Sequence, residues 1–250
     1  MHIDLKDKVA LVTGGSRGIG RETCMLLANS GAKVILNYNR SKEKAEEVEK
    51  EIESQGGTAD IFEADISDPE KVSSLFDFIT NTHDRLDILV NNAGIIKDNL
   101  LLSMKLSEWD KVIDTNLKGA FLCSQKASEM MMANHSGKIV NISSIGAIKG
   151  GRGQSNYASA KGGLISFTRS CAVELAGKGI QVNAVLPGMI VTDMSTRVRK
   201  RAGDKILEMI PAARFGEPAD IAKLIVFLSS SNADYITGQA ISVDGGMSIS

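Results

Sequence analysis

Tyr157 and Lys161, two residues whose side chains can exchange protons, lie four positions apart, and Ser144 precedes Tyr157 by thirteen positions. If the segment is helical, residues i and i+4 are neighbours on one face, so the phenol and the ammonium group lie side by side. A free phenol has a pKa of about 10, and an adjacent positive charge favours the phenolate and lowers that pKa. The pair could therefore exchange a proton with a substrate oxygen, although a Tyr and a Lys exposed on any helix can share this spacing.

The composition is typical of a globular protein. The 250 residues are 43% hydrophobic and 24% charged, with a formal net charge of -1, which suits an α/β domain with a large core. A net charge this small gives no general attraction to nucleic acid or to an anionic membrane. No apolar run approaches the roughly 20 residues of a membrane span, and the first eight residues lack the apolar stretch of a signal peptide. We therefore expect a cytoplasmic protein.

The cysteines and histidines show no spacing typical of metal ligands. Cys24, Cys123 and Cys171 are far apart, and each lies in an apolar, helix-like pattern that is typical of a reduced core cysteine. The three histidines form no cluster either. We expect no catalytic metal.

Short β-rich runs alternate with longer helical patterns from end to end, which predicts a Rossmann-like, doubly wound α/β fold with right-handed crossovers. The runs are almost continuously apolar, as in a parallel sheet with helices on both faces. The seven predicted strands are 9–12, 33–36, 59–62, 88–90, 138–142, 180–185 and 240–243. The main predicted helices are 41–54, 108–133 and 155–178.

No linker divides the chain, so we predict a single domain over 1–250. One segment, 189–215, interrupts the alternation and is polar and rich in Arg and Lys. Because it follows the carboxyl end of the sixth predicted strand, where ligands bind in such sheets, we interpret it as a substrate lid. A surface excursion without a function is the alternative.

A glycine-rich turn follows the first predicted strand and opens a helix, with the spacing GxxxGxG. Glycines permit a tight turn and close backbone approach, and the helix N-terminus presents free N–H groups to a pyrophosphate. We predict a dinucleotide site at this turn. The residues that we assign to it are Gly14, Ser16, Arg17, Gly18, Ile19 and Gly20.

The ends of the second and third predicted strands indicate which dinucleotide binds. The second strand ends near Asn39 and Arg40 without the carboxylate that usually binds the ribose hydroxyls of NAD. Arg17 and Arg40 could instead bind a 2′-phosphate, which favours NADPH over NADH, although Arg40 could also be a solvated loop charge. Asp65 and Ile66 follow the third strand, where the carboxylate could bind the adenine amino group.

The fourth predicted strand is followed by the small residues Asn92, Ala93 and Gly94, which would let the backbone approach a cofactor. In combination, these motifs resemble those of the short-chain dehydrogenase/reductase family, and within it the chain looks most like the 3-oxoacyl-(acyl carrier protein) reductases of fatty acid synthesis. The resemblance covers essentially the whole chain. It is carried by residues 13–20 and 91–94, and by Asn116, Ser144, Tyr157, Lys161, Pro187 and Gly188.

The resemblance implies a catalytic tetrad. Tyr157 would protonate the carbonyl oxygen and Ser144 would bind it. Lys161 would lower the pKa of Tyr157 and bind the nicotinamide ribose, and Asn116 would hold a water in the proton relay. The residues implied at the nicotinamide end are Pro187, Gly188, Ile190 and Thr192.

The same resemblance implies a substrate, a cofactor and an assembly. The expected reaction is the NADPH-dependent reduction of a 3-oxoacyl thioester, linked to acyl carrier protein or to CoA, to the 3-hydroxyacyl thioester. The expected assembly is a homotetramer or homodimer that pairs through the helices predicted at 108–133 and 155–178.

Two departures leave the substrate open. Reductases that act on the acidic acyl carrier protein usually carry basic residues before the fifth strand and on the helix after the catalytic lysine. Here 131–136 contains no Lys or Arg, and Val173 stands where an Arg is expected. A basic group in the lid, made up of Arg197, Arg199, Lys200 and Arg201, could instead receive the carrier or a phosphate-bearing acyl thioester, or it could be a solvated helix face. The alternatives are a reductase or dehydrogenase acting on a sugar, steroid or other secondary alcohol, and a catalytically silent partner subunit.

Overall fold

The computed structural model describes residues 3–250, and in that range seven strands alternate with nine α-helices. The strands are β1 Val9–Thr13, β2 Lys33–Tyr38, β3 Thr58–Glu63, β4 Ile88–Asn91, β5 Gly137–Ile142, β6 Ile180–Pro187 and β7 Ala240–Val243. The helices are α1 Gly18–Asn29, α2 Lys42–Ser54, α3 Pro69–His83, α4 Leu106–Ile113, α5 Gly119–Ala133, α6 Gly146–Lys149, α7 Ser155–Leu175, α8 Thr196–Glu208 and α9 Pro218–Leu228.

All seven strands form one parallel sheet in the order β3-β2-β1-β4-β5-β6-β7. The predicted fold class is confirmed, and every predicted strand is present with ends that differ by at most two residues. The chain winds outward from β1 in one direction and, after β3, returns to add β4 on the other side. The carboxyl ends of β1 and β4 therefore border the switch point where open α/β sheets bind their ligands.

Helices cover both faces of the sheet. The core on one face includes residues of α1, α2 and α9, and the core on the other includes residues of α3, α5 and α7. In α2, the buried residues Ala45, Val48 and Ile52 recur every three or four positions, so this charged helix packs a single apolar stripe on the sheet. Central strands are buried on both faces, which explains runs such as the fully buried β1.

Two of the predicted helices are divided in the structure. The pattern at 108–133 forms α4, a π-helical turn at Asp114–Lys118 and α5. The pattern at 155–178 forms α7 and a short 3₁₀ turn, Ala176–Lys178, which ends at Gly179 in the left-handed region with φ 75°. The apolar periodicity continues through the π-helical turn and the 3₁₀ turn, so it cannot reveal a local change of helix type.

The predicted lid at 189–215 contains α8, which is kinked at Ala202. In the part of the chain that the structure describes, no helix combines the length and the apolar character needed to cross a bilayer.

Candidate active site

The glycine-rich turn joins β1 to α1 at the switch point. Gly14 and Gly18 have φ values of 65° and 55°, a region that glycine adopts without strain. A Cβ on Gly14 would lie 3.0 Å from the Cα of Ala93, so the turn and the loop after β4 approach closely at this point. The helix begins at Gly18, and its first N–H groups have no partners within the helix. This cradle fits the pyrophosphate of a dinucleotide.

Hydrogen bonds from Thr13 and Asn92 join the turn to the loop after β4. The Thr13 Oγ1 accepts from the backbone N–H groups of Asn92 and Ala93, each over 3.0 Å. The Asn92 Nδ2 donates to the carbonyl oxygens of Thr13 and Gly14 over 2.9 and 3.0 Å. The predicted Asn92 and Ala93 therefore adjoin the predicted turn. Thr13 was not assigned a role from sequence, although a polar residue that ends an apolar strand is a detectable signal.

Asn39, Arg40 and Asp65, the residues predicted for the adenosine side of a cofactor, follow the ends of β2 and β3. Asn39 and Arg40 are exposed after β2, and the turn is tied to the same strand by a bond from Gly15 N to Asn37 O of 2.9 Å. Burial by itself raises the pKa of Asp65, but hydrogen bonds from Ser67 and Asn39 outweigh it and hold the pKa below its ordinary value. Asp65 is therefore ionised at neutral pH and can accept a hydrogen bond from an amino group.

The other residues predicted in the turn and after β3 are mostly covered. Ser16 and Gly20 are buried, Ile19 is half-buried against the core, and Ile66 is buried after β3. Arg17 is exposed immediately before α1. Of the turn's polar side chains, Arg17 is therefore the one most open to solvent.

The end of β6 carries the residues predicted for the nicotinamide end. Pro187 accepts a hydrogen bond from Ile145 N over 3.1 Å, which links β6 to the loop after β5. Ile190 is buried, and Gly188 lies against Asp244. A Cβ on Gly18 would lie 3.2 Å from the Thr192 Cγ2, so Thr192 faces the glycine turn across the cleft.

Lys161 is buried on α7, where its Nζ donates to the carbonyl oxygen of Ile142 over 2.7 Å. Ser143 fixes the same helix because its hydroxyl donates to Lys161 O over 2.8 Å. Burial disfavours the charged ammonium group and lowers the pKa of Lys161 to about 8. Lys161 is therefore mainly charged at neutral pH and loses its charge in mildly alkaline solution.

Tyr157 and Ser144 meet beside Gly146. A Cβ on Gly146 would lie 3.3 Å from the Ser144 Oγ and 3.8 Å from Tyr157 Cε1, and the Lys161 Nζ is 5.9 Å from the centre of the Tyr157 ring. The predicted i, i+4 pair is therefore present, with the serine next to the phenol.

The pKa of Tyr157 differs from the expectation that Lys161 lowers it. Burial raises this pKa, contact with the Ser144 hydroxyl lowers it, and the negative charge of Asp98 raises it further, with a net upward direction. Desolvation of the phenolate prevails, and Lys161 directs its Nζ to the Ile142 carbonyl. Tyr157 is therefore protonated at neutral pH, as a proton donor must be.

Asn116 lies in the π-helical turn between α4 and α5 and is buried. Its Oδ1 accepts from Ile95 N over 2.7 Å, and its Nδ2 donates to Ile95 O over 2.9 Å. A Cβ on Gly94 would lie 3.2 Å from the Asn116 Oδ1 and 3.5 Å from the Lys161 Nζ. The structure thus brings Gly94, Asn116 and Lys161 together, and the glycine leaves space between the amide and the ammonium group.

The basic run of the lid does not form one uniform surface. Arg199 folds back on the start of α8, where its Nε donates to Ser195 Oγ over 3.0 Å and its Nη2 to Thr196 Oγ1 over 3.4 Å. Arg197, Lys200 and Arg201 are exposed. Arg199 therefore stabilises the start of its own helix, and the docking role of the basic residues stays a prediction.

Comparison with known proteins gives consistent matches. A family model described as "Enoyl-(Acyl carrier protein) reductase" matches residues 14–248. The 3-oxoacyl-[acyl-carrier-protein] reductase FabG of Staphylococcus aureus (strain Mu50) is 50% identical over 240 residues, which cover 96% of this chain and 98% of the relative. The 3-oxoacyl-[acyl-carrier-protein] reductase of Synechocystis is 47% identical over 244 residues, which cover 97% and 98%. The crystal structure of levodione reductase matches with a TM-score of 0.94 at 36% identity, covering 98% of this chain and 99% of that one.

Proposed function

The chain belongs to the short-chain dehydrogenase/reductase family, whose members are oxidoreductases that use nicotinamide cofactors, and on that premise we propose that it reduces a 3-oxoacyl thioester with NADPH. The product is the 3-hydroxyacyl thioester. The observation that carries the proposal is the meeting of a protonated Tyr157 with Ser144, since two hydroxyl groups can then bind one substrate oxygen. The 50% identity to a 3-oxoacyl-[acyl-carrier-protein] reductase supports the choice of thioester.

The proposed chemistry divides between the cofactor and the protein. When bound, the nicotinamide supplies the hydride that reaches the carbonyl carbon. Ser144 donates a hydrogen bond to the carbonyl oxygen, and Tyr157 transfers its phenolic proton to that oxygen as negative charge develops there. The C=O group thereby becomes CH–OH, and the phenolate that remains takes up a proton.

Lys161 and Asn116 provide the route for that proton. Lys161 places an ammonium group, a proton donor, near the Tyr157 ring, and Asn116 retains an unused lone pair on Oδ1 next to the space at Gly94. A water bound between Oδ1 and the Lys161 Nζ would connect the ammonium group to solvent. We assign Asn116 to this relay because its buried amide is fixed at both ends by Ile95.

The charges near the glycine turn favour NADPH over NADH. Arg17 and Arg40 are both exposed on the loops that border the adenosine side, and Asn39 stands where a carboxylate would repel a 2′-phosphate. NADH lacks the 2′-phosphate, and its adenosine ribose hydroxyls need a hydrogen-bond acceptor such as a carboxylate. Two arginines without a carboxylate therefore suit NADPH better than NADH. We therefore assign Arg17 and Arg40 to the 2′-phosphate and Asp65 to the adenine amino group.

The proposed carrier of the acyl group is an acidic acyl carrier protein that docks on α8. This helix carries five Arg or Lys residues and two Asp or Glu residues, and Arg197, Lys200 and Arg201 are exposed. Val173 on α7 is 83% exposed and offers no charge. Charges at the rim of an interface mainly affect encounter and orientation, so the carrier can use α8 without any change in the reaction.

We also propose that the chain forms a homo-oligomer through the region of α4 and α5. Leu101, Leu102 and Leu106, at and before the start of α4, are largely exposed, and Phe121 on α5 is partly exposed. Several large apolar side chains exposed in one region of the chain suit an interface with a second copy. Size-exclusion chromatography with light scattering measures the assembly, and a monomer at micromolar concentration would contradict the proposal.

The decisive experiment measures NADPH and NADH oxidation with acetoacetyl thioesters of acyl carrier protein and of CoA. An enoyl thioester, a sugar panel and a steroid panel are tested beside them. We expect turnover with the acetoacetyl thioesters, faster with NADPH, and a loss of that preference in R17A but not in K33A, since Lys33 lies at the opposite end of β2. Activity on a sugar or steroid with none on any thioester would reject the substrate class.

A further inference from the structure

The side chain of Asn156 is completely buried at the start of α7. Its Oδ1 accepts from the backbone N–H of Tyr157 over 2.7 Å. Its Nδ2 donates to the carbonyl oxygen of Lys97 over 2.9 Å and, more weakly, to that of Glu108 over 3.4 Å. One amide group therefore joins the first turn of α7 to the loop after β4 and to α4.

The bond to Tyr157 satisfies a group that the helix itself cannot. Tyr157 is the third residue of α7, and the first four N–H groups of a helix have no carbonyl partner within it. The side chain of Gln154, which precedes the helix, makes no capping bond to it. Asn156 is therefore the side chain that fixes the backbone N–H of the proposed proton donor.

Asn156 is also part of a larger set of bonds, which we call the 97–156 clamp. Three consecutive residues of the loop after β4 bond to the segment that leads into α7. The bonds run from Asn156 Nδ2 to Lys97 O, from Gln154 Nε2 to Asp98 Oδ2 over 3.2 Å, and from Asn99 N to Gly153 O over 2.9 Å. The clamp holds Asp98, whose charge acts on Tyr157, in a fixed place relative to the phenol.

We propose that Asn156 is a positioning residue for the reduction. Its amide holds the first turn of α7, which includes Tyr157, in a fixed position relative to the loop after β4. The inference rests on the proposed role of Tyr157 as the proton donor. A displacement of about 1 Å in a catalytic group can cost about 100-fold in rate. Asn156 does not contact the glycine turn, and Lys161, the residue of α7 expected to bind the nicotinamide ribose, is held separately by its bonds to Ile142 O and the Ser143 hydroxyl. Loss of the clamp should therefore affect turnover far more than NADPH affinity.

The test compares wild type, N156A and Y157F with acetoacetyl thioester and NADPH. We expect N156A to lower kcat by about 10- to 100-fold while the Kd of NADPH stays within about twofold. The primary deuterium isotope effect on kcat should rise in N156A, because chemistry becomes more fully rate-limiting. A partly unfolded protein would instead lose NADPH binding and kcat together with no change in the isotope effect. N134A is the matched control, since Asn134 is an exposed amide at the end of α5.

A second variant, N156D, keeps the oxygen that accepts from Tyr157 N and replaces the donor group. A carboxylate there would face the Lys97 and Glu108 carbonyls, whereas a protonated carboxyl donates again. The charged side chains on the adjoining segments are those of Lys97, Asp98, Lys105, Glu108, Asp110, Lys111 and Arg152, and Lys161 lies one turn further along α7. We expect N156D to lose kcat as N156A does in mildly alkaline buffer and to recover relative to wild type as the pH falls. This variant carries the test if N156A does not fold.

The outcomes separate the two proposals. An inactive wild type or a fully active Y157F contradicts the proposed function. A kcat within about twofold of wild type in a folded Asn156 variant overturns the positioning role, as does a parallel loss of NADPH binding.

Discussion

Replacement of Lys161 by Met tests how much the burial of this lysine disfavours its charged form in the folded protein. Lys161 is buried, and burial lowers its pKa from 10.5 to about 8. The pKa is thus lower in the folded protein than in the unfolded chain, which binds more protons between these two values. Stability therefore rises with pH across that window as the folded protein becomes neutral at this position.

The size of the effect follows from the pKa difference. One pKa unit corresponds to about 1.4 kcal/mol, so between about pH 7 and pH 10 the free energy of unfolding of wild type should rise by about 2–3 kcal/mol relative to K161M. The variant also loses the bond to Ile142 O. That loss changes the absolute stability difference, and whatever part of it depends on the charge of the lysine is already contained in the lysine's pKa.

The assay is urea denaturation of the two cofactor-free proteins across this pH range. Other titrating groups are shared by both proteins, so their contributions largely cancel in the difference. K200M provides the control, because it makes the same replacement at a lysine that is exposed on α8. A wild-type minus K161M difference that stays constant within about 0.5 kcal/mol would refute the reasoning, since it would mean that burial does not shift this pKa.

Three other substitutions test separate parts of the site. G14A places a Cβ 3.0 Å from Ala93 Cα at a residue whose φ is 65°. We expect the Kd of NADPH, measured by calorimetry, to rise at least about tenfold and the free energy of unfolding to fall by about 1–2 kcal/mol. The control G177A, which has open space around its Cβ, should match wild type in both. D98N removes a charge that raises the pKa of Tyr157, so the phenolate absorbance assigned by difference to Tyr157 should appear at lower pH; an unchanged titration would exclude a charge effect. R201E should raise the KM of carrier-bound substrate several-fold and spare a small β-ketoester, and equal effects on both would argue against docking on α8.

Much of the fold and of the cofactor site could be predicted because the signals are local. Each apolar run is long enough for one buried strand, and a parallel sheet must bring the carboxyl ends of its strands to one edge. The glycine turn and 92–94 each follow such a run, so their meeting at the switch point required no knowledge of side-chain packing. The spacing of Tyr157 and Lys161 likewise depends only on helix geometry.

The predictions that changed concern side chains whose surroundings come from distant parts of the chain. The helical pattern at 108–133 could not show the π-helical turn, which places Asn116 against Ile95. The four basic residues within 197–201 looked equivalent, yet Arg199 bonds to the start of its own helix. Asn156 preceded the proposed proton donor in the sequence without any sign that its amide was buried.

The sequence by itself determined the order of the elements, the edge of the sheet where the cofactor residues meet and the pairing of a phenol with a lysine. Those features follow from hydrophobic periodicity, chain connectivity and the pitch of a helix. Only the tertiary structure decided the protonation of that pair. Lys161 is buried where it meets Ile142 O, and Tyr157 is half-buried near the charge of Asp98. Desolvation raises the pKa of the phenol, which the charge of Asp98 raises further, and lowers the pKa of the lysine.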